Sequence, residues 1–140
     1  WQMWPEVVHS RPRYPGYIGD MPHTWIGAEY VRTLVGMLLH EGDDGLHLLP
    51  GTPPAWLEGD GLVVRTLPTA FGPLTMAARQ TGDRLELTLD APLRDAPPVE
   101  VAWPSRTRPM SVKVDGREIT DYDARGVRLA APFRRLEARW

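Results

Sequence analysis

Apolar residues follow two different periods along this chain. From residue 24 to residue 40 there is no proline, and the polar positions fall within about 100° of a helical wheel. The remaining arc is apolar, so we expect one helix over residues 24–40 that is buried on most of its sides. Asp20 or Thr24 is expected to cap the start of this helix, and Gly42 suits its end.

Beyond residue 44 the period changes to two, as expected for strands with one buried face. Leu85, Leu87 and Leu89 alternate with polar neighbours, and Asp115-Gly116 is a strong hairpin signal. Turns spaced by roughly 8–12 residues predict an antiparallel sandwich with at most one further short helical turn. The expected strands cover residues 45–49, 62–67, 74–78, 85–89, 99–103, 112–114, 127–129 and 136–140, with a further short one around residue 119.

Charge and composition exclude several classes of function. The 140 residues carry a formal net charge of −2, which gives no electrostatic basis for binding nucleic acid or an anionic membrane. No apolar run approaches the roughly 18 residues that would span a bilayer. The chain has no cysteine, so disulfides, thiolate metal sites and cysteine nucleophiles are excluded. We therefore expect no nucleic-acid partner and no membrane partner.

Sequence motifs for metal, nucleophilic or phosphate chemistry are missing or weak. No two of the four histidines stand at positions i and i+4 of a helix, a common zinc-binding arrangement. The G-x-S-x-G motif of serine hydrolases is absent, and so are the glycine-rich loops that bind phosphate. We expect no metal site and no cofactor.

The first 22 residues form a predicted loop in which aromatic and polar residues alternate with proline and glycine. Aromatic rings can stack on the C–H faces of sugars, while carboxylates and imidazole bind hydroxyl groups. A carboxylate beside an indole is also partly desolvated, which favours general acid or base chemistry. The alternative is that the aromatic rings only pack the loop and that its carboxylates are solvated. The aromatic residues are Trp1, Trp4, Tyr14 and Tyr17, and the polar ones are Glu6 and Asp20; His23 and Trp25 follow directly after the loop and belong to the same group.

A series of residues that follows the predicted helix carries a resemblance to a known family. The residues are, in order, Asp44-Gly45-Leu46-His47-Leu48, Pro50, Pro53-Pro54, Trp56 and Gly72-Pro73-Leu74. This series resembles the end of the six-hairpin, (α/α)6-barrel glycosidases. The resemblance implies an α+β fragment, with one barrel-type helix followed by an antiparallel β-sandwich. Residues 1–42 would be the active-site loop and last helix of the barrel, and residues 43–140 a C-terminal β-sandwich domain.

Within that superfamily, the predicted loop is similar to a segment of the bacterial α-L-rhamnosidases. The similar residues are Trp4-Pro5-Glu6 and, after a short interval, Met21-Pro22-His23-Thr24-Trp25. The resemblance implies that Glu6 is the general base that activates water and that His23 contacts the sugar. Trp4, Asp20 and Trp25 would complete the substrate-binding site.

The resemblance also implies that the general acid and most of the barrel lie upstream of this chain. The chain begins at Trp1 rather than at methionine, and we expect it to belong to a larger protein. By itself it should be inactive, with a carbohydrate substrate bound only in the intact glycosidase. The predicted helix would be covered by the upstream barrel of the same polypeptide or by a self-associating copy. A non-catalytic carbohydrate-binding β-sandwich module and a purely structural domain are the alternatives.

Overall fold

The computed structural model describes residues 4–95, 97–130 and 132–140. The chain divides into two compact units, an N-terminal unit that ends at Gly36 and a sandwich unit, Met37–Trp140. The secondary structure confirms the α+β class expected from the two hydrophobic periods. Its elements in the described residues are α1 (Thr24–Leu38), β1 (Leu39–Gly42), β2 (Gly45–Leu48), a 3-10 turn (Pro54–Trp56), β3 (Leu62–Thr69), β4 (Gly72–Thr81), β5 (Arg84–Asp90), β6 (Val99–Ala102), β7 (Ser111–Val114), β8 (Arg117–Ile119), β9 (Gly126–Leu129) and β10 (Arg135–Arg139).

The start of α1 differs from the sequence prediction. The amide of Gly27 donates to the carbonyl of His23 (3.0 Å), and the amide of Ile26 donates to the His23 Nδ1 atom (3.5 Å). His23 is therefore the residue that caps the helix, and the prediction of Asp20 or Thr24 was wrong. An imidazole nitrogen replaces the hydroxyl or carboxylate oxygen that usually takes this amide.

The end of α1 was also misplaced, because the helix stops at Leu38 and His40 lies in β1. The amides of Leu49 and Gly51 donate to the carbonyls of Leu38 and Met37 (2.8 and 3.1 Å). The Thr52 hydroxyl also donates to the Met37 carbonyl (2.9 Å). Since these groups take carbonyls that a further helical turn would have used, the chain leaves the helix directly into a strand.

The sandwich unit contains two sheets with strand orders β1-β2-β6-β9 and β3-β4-β5-β10-β7-β8. The pairing is antiparallel, as predicted, except between β2 and β6, where Leu46 lies opposite Val99 in a parallel pair. The predicted Asp115-Gly116 turn joins β7 and β8, and the Asp115 carboxylate accepts from the amides of Arg134 and Arg135.

One hydrophobic core fills the space between the two sheets. Alternate residues of the strands point into it and are almost fully buried, as the period of two predicts. Trp103 is only 2% exposed, and its indole N–H donates to the Asp123 carbonyl (2.9 Å), so its polar atom is satisfied as well. The four-stranded sheet contributes Leu39, Leu46, Leu48, Val99, Val101 and Val127, and the six-stranded sheet contributes Leu74, Met76, Ala78, Leu85, Leu87, Leu89, Val112, Leu136 and Ala138.

Charged side chains cover the outer face of the six-stranded sheet. Glu86 and Glu137 lie directly opposite each other on β5 and β10, a repulsive arrangement by itself. Arg84 Nη2 lies 2.7 Å from a carboxylate oxygen of each, and Arg135 contacts both as well. The hydrogen bond from Arg84 lowers the pKa of Glu137. The two guanidinium groups therefore turn a like-charge pair into a stabilising network.

We predict that Gly45→Ala lowers the free energy of unfolding by more than about 2 kcal/mol. Gly45 has a φ angle of +135°, and a Cβ atom there would collide with the carbonyl oxygen of Pro98. Gly82 also has a positive φ (+58°), but a Cβ atom added to it would point into open space, with no other atom within 4 Å. Gly82→Ala should therefore cost only about 1 kcal/mol. Urea unfolding of both variants measures the difference, and equal losses would contradict the proposed collision.

Candidate functional site

Backbone hydrogen bonds close the loop before α1 into a long irregular hairpin. The His9 amide donates to the Tyr17 carbonyl (2.7 Å), and the Gly19 amide donates to the Val7 carbonyl (2.9 Å). Val8 and Ile18 form a bridge between these two pairs. The two arms of the loop are therefore held in a fixed register even though residues 4–23 contain no regular strand.

The same register brings the sequence-predicted site residues into two facing pairs. The His23 amide donates to the Trp4 carbonyl, and the Glu6 amide donates to the Asp20 carbonyl, both at 3.1 Å. The pair of Trp4 and His23 lies at the start of α1, where the hairpin closes. Residues separated by up to 19 positions in sequence are thus neighbours at one end of the loop.

Trp4 also stacks on Tyr30, with 4.2 Å between ring centroids and 26° between ring planes. Tyr30 was not among the sequence-predicted site residues, because the helical wheel placed it with the buried apolar positions. A signal was present: His23 and Tyr30 are seven residues apart, which places them on the same side of a helix. Tyr30 fixes one face of the Trp4 ring and leaves the indole 37% exposed.

The His23 imidazole caps the start of α1, and this contact determines how its two ring nitrogens are used. Its Nδ1 atom accepts the Ile26 amide, so the proton of the neutral ring is assigned to Nε2. The imidazole lies 6.4 Å from the Trp25 ring, at an interplanar angle of 37°. Trp25 is 67% exposed, which leaves its ring available for contact with another molecule.

The carboxylates of Glu6 and Asp20 are exposed to solvent. General base chemistry favours a carboxylate that is partly desolvated and aimed at the reacting water. The described residues of the N-terminal unit hold the Glu6 backbone in place but do not enclose its side chain.

Large hydrophobic side chains are exposed throughout the N-terminal unit. No residue of α1 is buried, although its sequence predicts a helix that is covered on most sides. Among the residues of this unit that the structure describes, the exposed large hydrophobic ones are Trp4, Val7, Val8, Tyr14, Ile18, Met21, Trp25, Tyr30 and Val31. The unit therefore presents an apolar surface of the kind that folded proteins normally cover.

A second polar cluster, missed in the sequence, crosses the outer face of the four-stranded sheet. Strand register aligns His40, His47, Glu100 and Arg128 in one row over β1, β2, β6 and β9. Each is an outward position of its strand, and only the pairing of distant strands brings them together. The sequence pattern places His40 on the predicted helix and His47 in an apolar run, and it carries no information on how the strands pair.

Asp44 contacts two members of this row, Arg128 and His47. Its carboxylate lies 2.8 Å from Arg128 Nη1 and 2.9 Å from His47 Nε2, while Arg128 Nη2 donates to its carbonyl (2.7 Å). The hydrogen bonds from Arg128 and then His47 lower the pKa of Asp44 from 3.8 to about 2. On its other side, His47 Nδ1 lies 3.6 Å from Glu100 Oε2.

Among residues 4–95, 97–130 and 132–140, no three histidine or carboxylate side chains gather in a way that could hold a metal ion. In the same ranges, no helix is long and apolar enough to cross a membrane.

Comparison of the chain with protein-family models, with curated proteins and with solved structures finds no match. The functional interpretation therefore depends on the residues of this chain and on their geometry.

We predict that Asp44→Asn lowers stability at neutral pH and flattens its dependence on acid. Because the pKa of Asp44 is lower in the folded chain, its contribution is present above about pH 3.8 and is lost as the pH falls towards 2. Urea unfolding from pH 7 to pH 2 should show a shallower decline for the variant than for the parent chain. Asp43→Asn, in the same turn, is the matched control, and an identical pH profile for the two variants would contradict this role of Asp44.

Proposed function

We propose that this chain is the C-terminal portion of a glycoside hydrolase-like carbohydrate-active enzyme. In this proposal the loop before α1 contributes part of the sugar site, and the sandwich unit is a structural domain. The observation that carries the proposal is the closing of the loop, which pairs Trp4 with His23 and Glu6 with Asp20 through backbone hydrogen bonds. An indole, an imidazole and two carboxylates are the groups that sugar recognition and glycosidic bond hydrolysis use.

Each residue of the loop takes a role that follows from its chemistry. Glu6 is the general base that removes a proton from the attacking water. His23, with its Nδ1 occupied, donates from Nε2 to a sugar hydroxyl. Trp4, held by Tyr30, and the exposed Trp25 supply flat apolar surfaces for the sugar ring, while Asp20 orients the loop beside Glu6.

The enclosure of Glu6 and the second catalytic carboxyl would come from the rest of an (α/α)6 barrel. An inverting glycosidase needs two carboxyl groups about 6.5–9.5 Å apart, with the water between them. The apolar surface of α1 supports this proposal, because packing against further barrel helices would cover it. Full burial of one large apolar side chain contributes about 1.5–3 kcal/mol, so several such residues would hold the barrel and α1 together firmly.

We predict that Glu6→Gln, made in the intact enzyme, lowers turnover by about 10²–10⁴-fold with sugar binding largely kept. The amide preserves the shape of the side chain and its ability to hydrogen-bond, but it removes the basic oxygen. His23→Ala should instead weaken sugar binding. Steady-state kinetics and equilibrium binding of the same variants separate the two effects.

Glu29→Gln is the matched control for Glu6, since Glu29 is a carboxylate of the same unit that pairs with Arg32 on the helix surface (3.4 Å). Its turnover should equal that of the parent enzyme. Turnover within about threefold of the parent for Glu6→Gln would remove Glu6 from the role of base.

The cover over α1 is tested by Val31→Asp in two contexts. Val31 is 58% exposed in this chain, so the change should alter stability by no more than about 0.5 kcal/mol here. In the intact enzyme the same carboxylate would be buried against apolar neighbours, and the loss should exceed about 2 kcal/mol. Thr33→Asp, on the polar side of α1, should have a small effect in both. Equal effects of Val31→Asp in the two contexts would argue against the barrel.

A further inference from the structure

A groove that no part of the proposed loop chemistry uses lies on the outer face of the four-stranded sheet. It consists of two depressions, with volumes of about 410 Å³ and 190 Å³, that both have Glu100 and Arg125 in their walls. Arg128 and Tyr122 complete the wall of the larger depression, and Pro50 borders the smaller one. Because the two depressions share Glu100 and Arg125, they lie side by side on the sandwich unit.

Small residues form the floor of this groove and so make the groove deeper. Ala102 and Gly126 face each other across β6 and β9 and contribute to the smaller and the larger depression respectively. Position 126 also requires glycine, because a Cβ atom there would lie 2.5 Å from the Val101 carbonyl oxygen. The depth of the groove is thus set by close strand packing.

The charges in the walls of the groove balance. Three acidic and three basic side chains line the groove, so it carries no net charge that would favour a phosphate or a metal cation. A neutral ligand with many hydroxyl groups fits this arrangement, since each hydroxyl both donates to a carboxylate and accepts from a guanidinium. The charged residues are Glu100, Asp121 and Asp123 on the acidic side and Arg106, Arg125 and Arg128 on the basic side.

Several of these groups are already held in position. Asp44 fixes the Arg128 guanidinium through two contacts at 2.8 and 2.7 Å. The Asp123 carboxylate accepts from the amides of Arg125 and Gly126, at 2.7 and 3.1 Å, which fixes the turn before β9. A ligand would meet ordered partners here, and this lowers the entropy cost of binding.

We propose that this groove is an accessory carbohydrate site, which binds the hydroxyl groups of a neutral sugar between Glu100 and the guanidinium groups of Arg125 and Arg128. The choice of a carbohydrate rests on the proposed function. The site itself takes no part in bond cleavage, and it would hold a glycan by the sandwich unit independently of the loop.

The test is a titration of the isotopically labelled 140-residue chain with neutral monosaccharides, L-rhamnose and D-galactose among them, followed by amide NMR. Shifts should appear at residues 100–102 and 125–128, with dissociation constants on the order of 1 mM. Glu100→Gln and Arg125→Met should each weaken binding at least ~tenfold. The Arg125 side chain is 89% exposed, so its replacement leaves the fold intact. Glu118→Gln, on the outer face of the other sheet, should leave binding unchanged.

Absence of sugar-dependent shifts in these two segments, or binding that Glu100→Gln and Arg125→Met leave unchanged, would overturn the proposal. Stronger binding of inorganic phosphate or calcium than of every sugar would overturn it as well. The outcome is separable from that of the loop. Sugar shifts in the groove alongside a fully active Glu6→Gln enzyme would reject only the catalytic role of Glu6, and an inactive Glu6→Gln enzyme without groove shifts would reject only the accessory site.

Discussion

The capping of the last turn of α1 sets where the first strand of the sandwich unit begins and how it pairs with the second. Thr52 is the one buried polar residue of the described chain, and its hydroxyl donates to the Met37 carbonyl together with the Gly51 amide. A buried hydroxyl without this partner would cost about 1–3 kcal/mol, so this hydrogen bond holds the segment around Thr52 at the end of the helix. The carbonyls taken there end the helix at Leu38, start β1 at the next residue and set its pairing with β2. That pairing aligns His40 with His47, which are the first two members of the polar row on the outer face of the sheet.

The two units differ in how far their apolar residues are buried. The sandwich unit buries its apolar residues between two sheets and satisfies its outer face with ion pairs, and each of its strands has a partner. The N-terminal unit fixes its backbone with hydrogen bonds, but nine large hydrophobic side chains among its residues from 4 onward are exposed. Taken with side-chain areas of about 150–250 Å² for aromatic residues, these expose on the order of 1,000 Å², close to what one partner contributes to a standard interface. A surface of this size is costly in water, and packing against the proposed barrel would cover it.

Much of the sandwich could be predicted because short sequence patterns specify its strands and turns. Alternation at Leu85, Leu87 and Leu89 gives a strand whatever its neighbours are, and Asp115-Gly116 specifies a hairpin within four residues. The features that the sequence did not reveal depend on distant contacts. The sequence predicts a helix that continues to residue 40, but the Leu49 and Gly51 amides and the Thr52 hydroxyl take the last helical carbonyls and end the helix at Leu38. The parallel pair of β2 and β6 joins segments about fifty residues apart, for which neither strand carries a local signal.

The two candidate sites differ in the same way. The loop residues Trp4, Glu6, Asp20 and His23 could be selected from the sequence, because their chemistry and their resemblance to a glycosidase loop lie within 23 positions. The stacking of Tyr30 on Trp4 needed the structure. The groove on the sheet could not be selected at all, since its acidic and basic residues come from separate strands and turns and look like ordinary surface charges. Yet the groove is the more complete of the two, because the chain itself supplies its floor, its walls and the contacts that fix them. In the loop, hydrogen bonds fix the backbone but leave the Glu6 side chain exposed. In the proposed enzyme, this carboxylate would become partly desolvated only where another part of the protein encloses it.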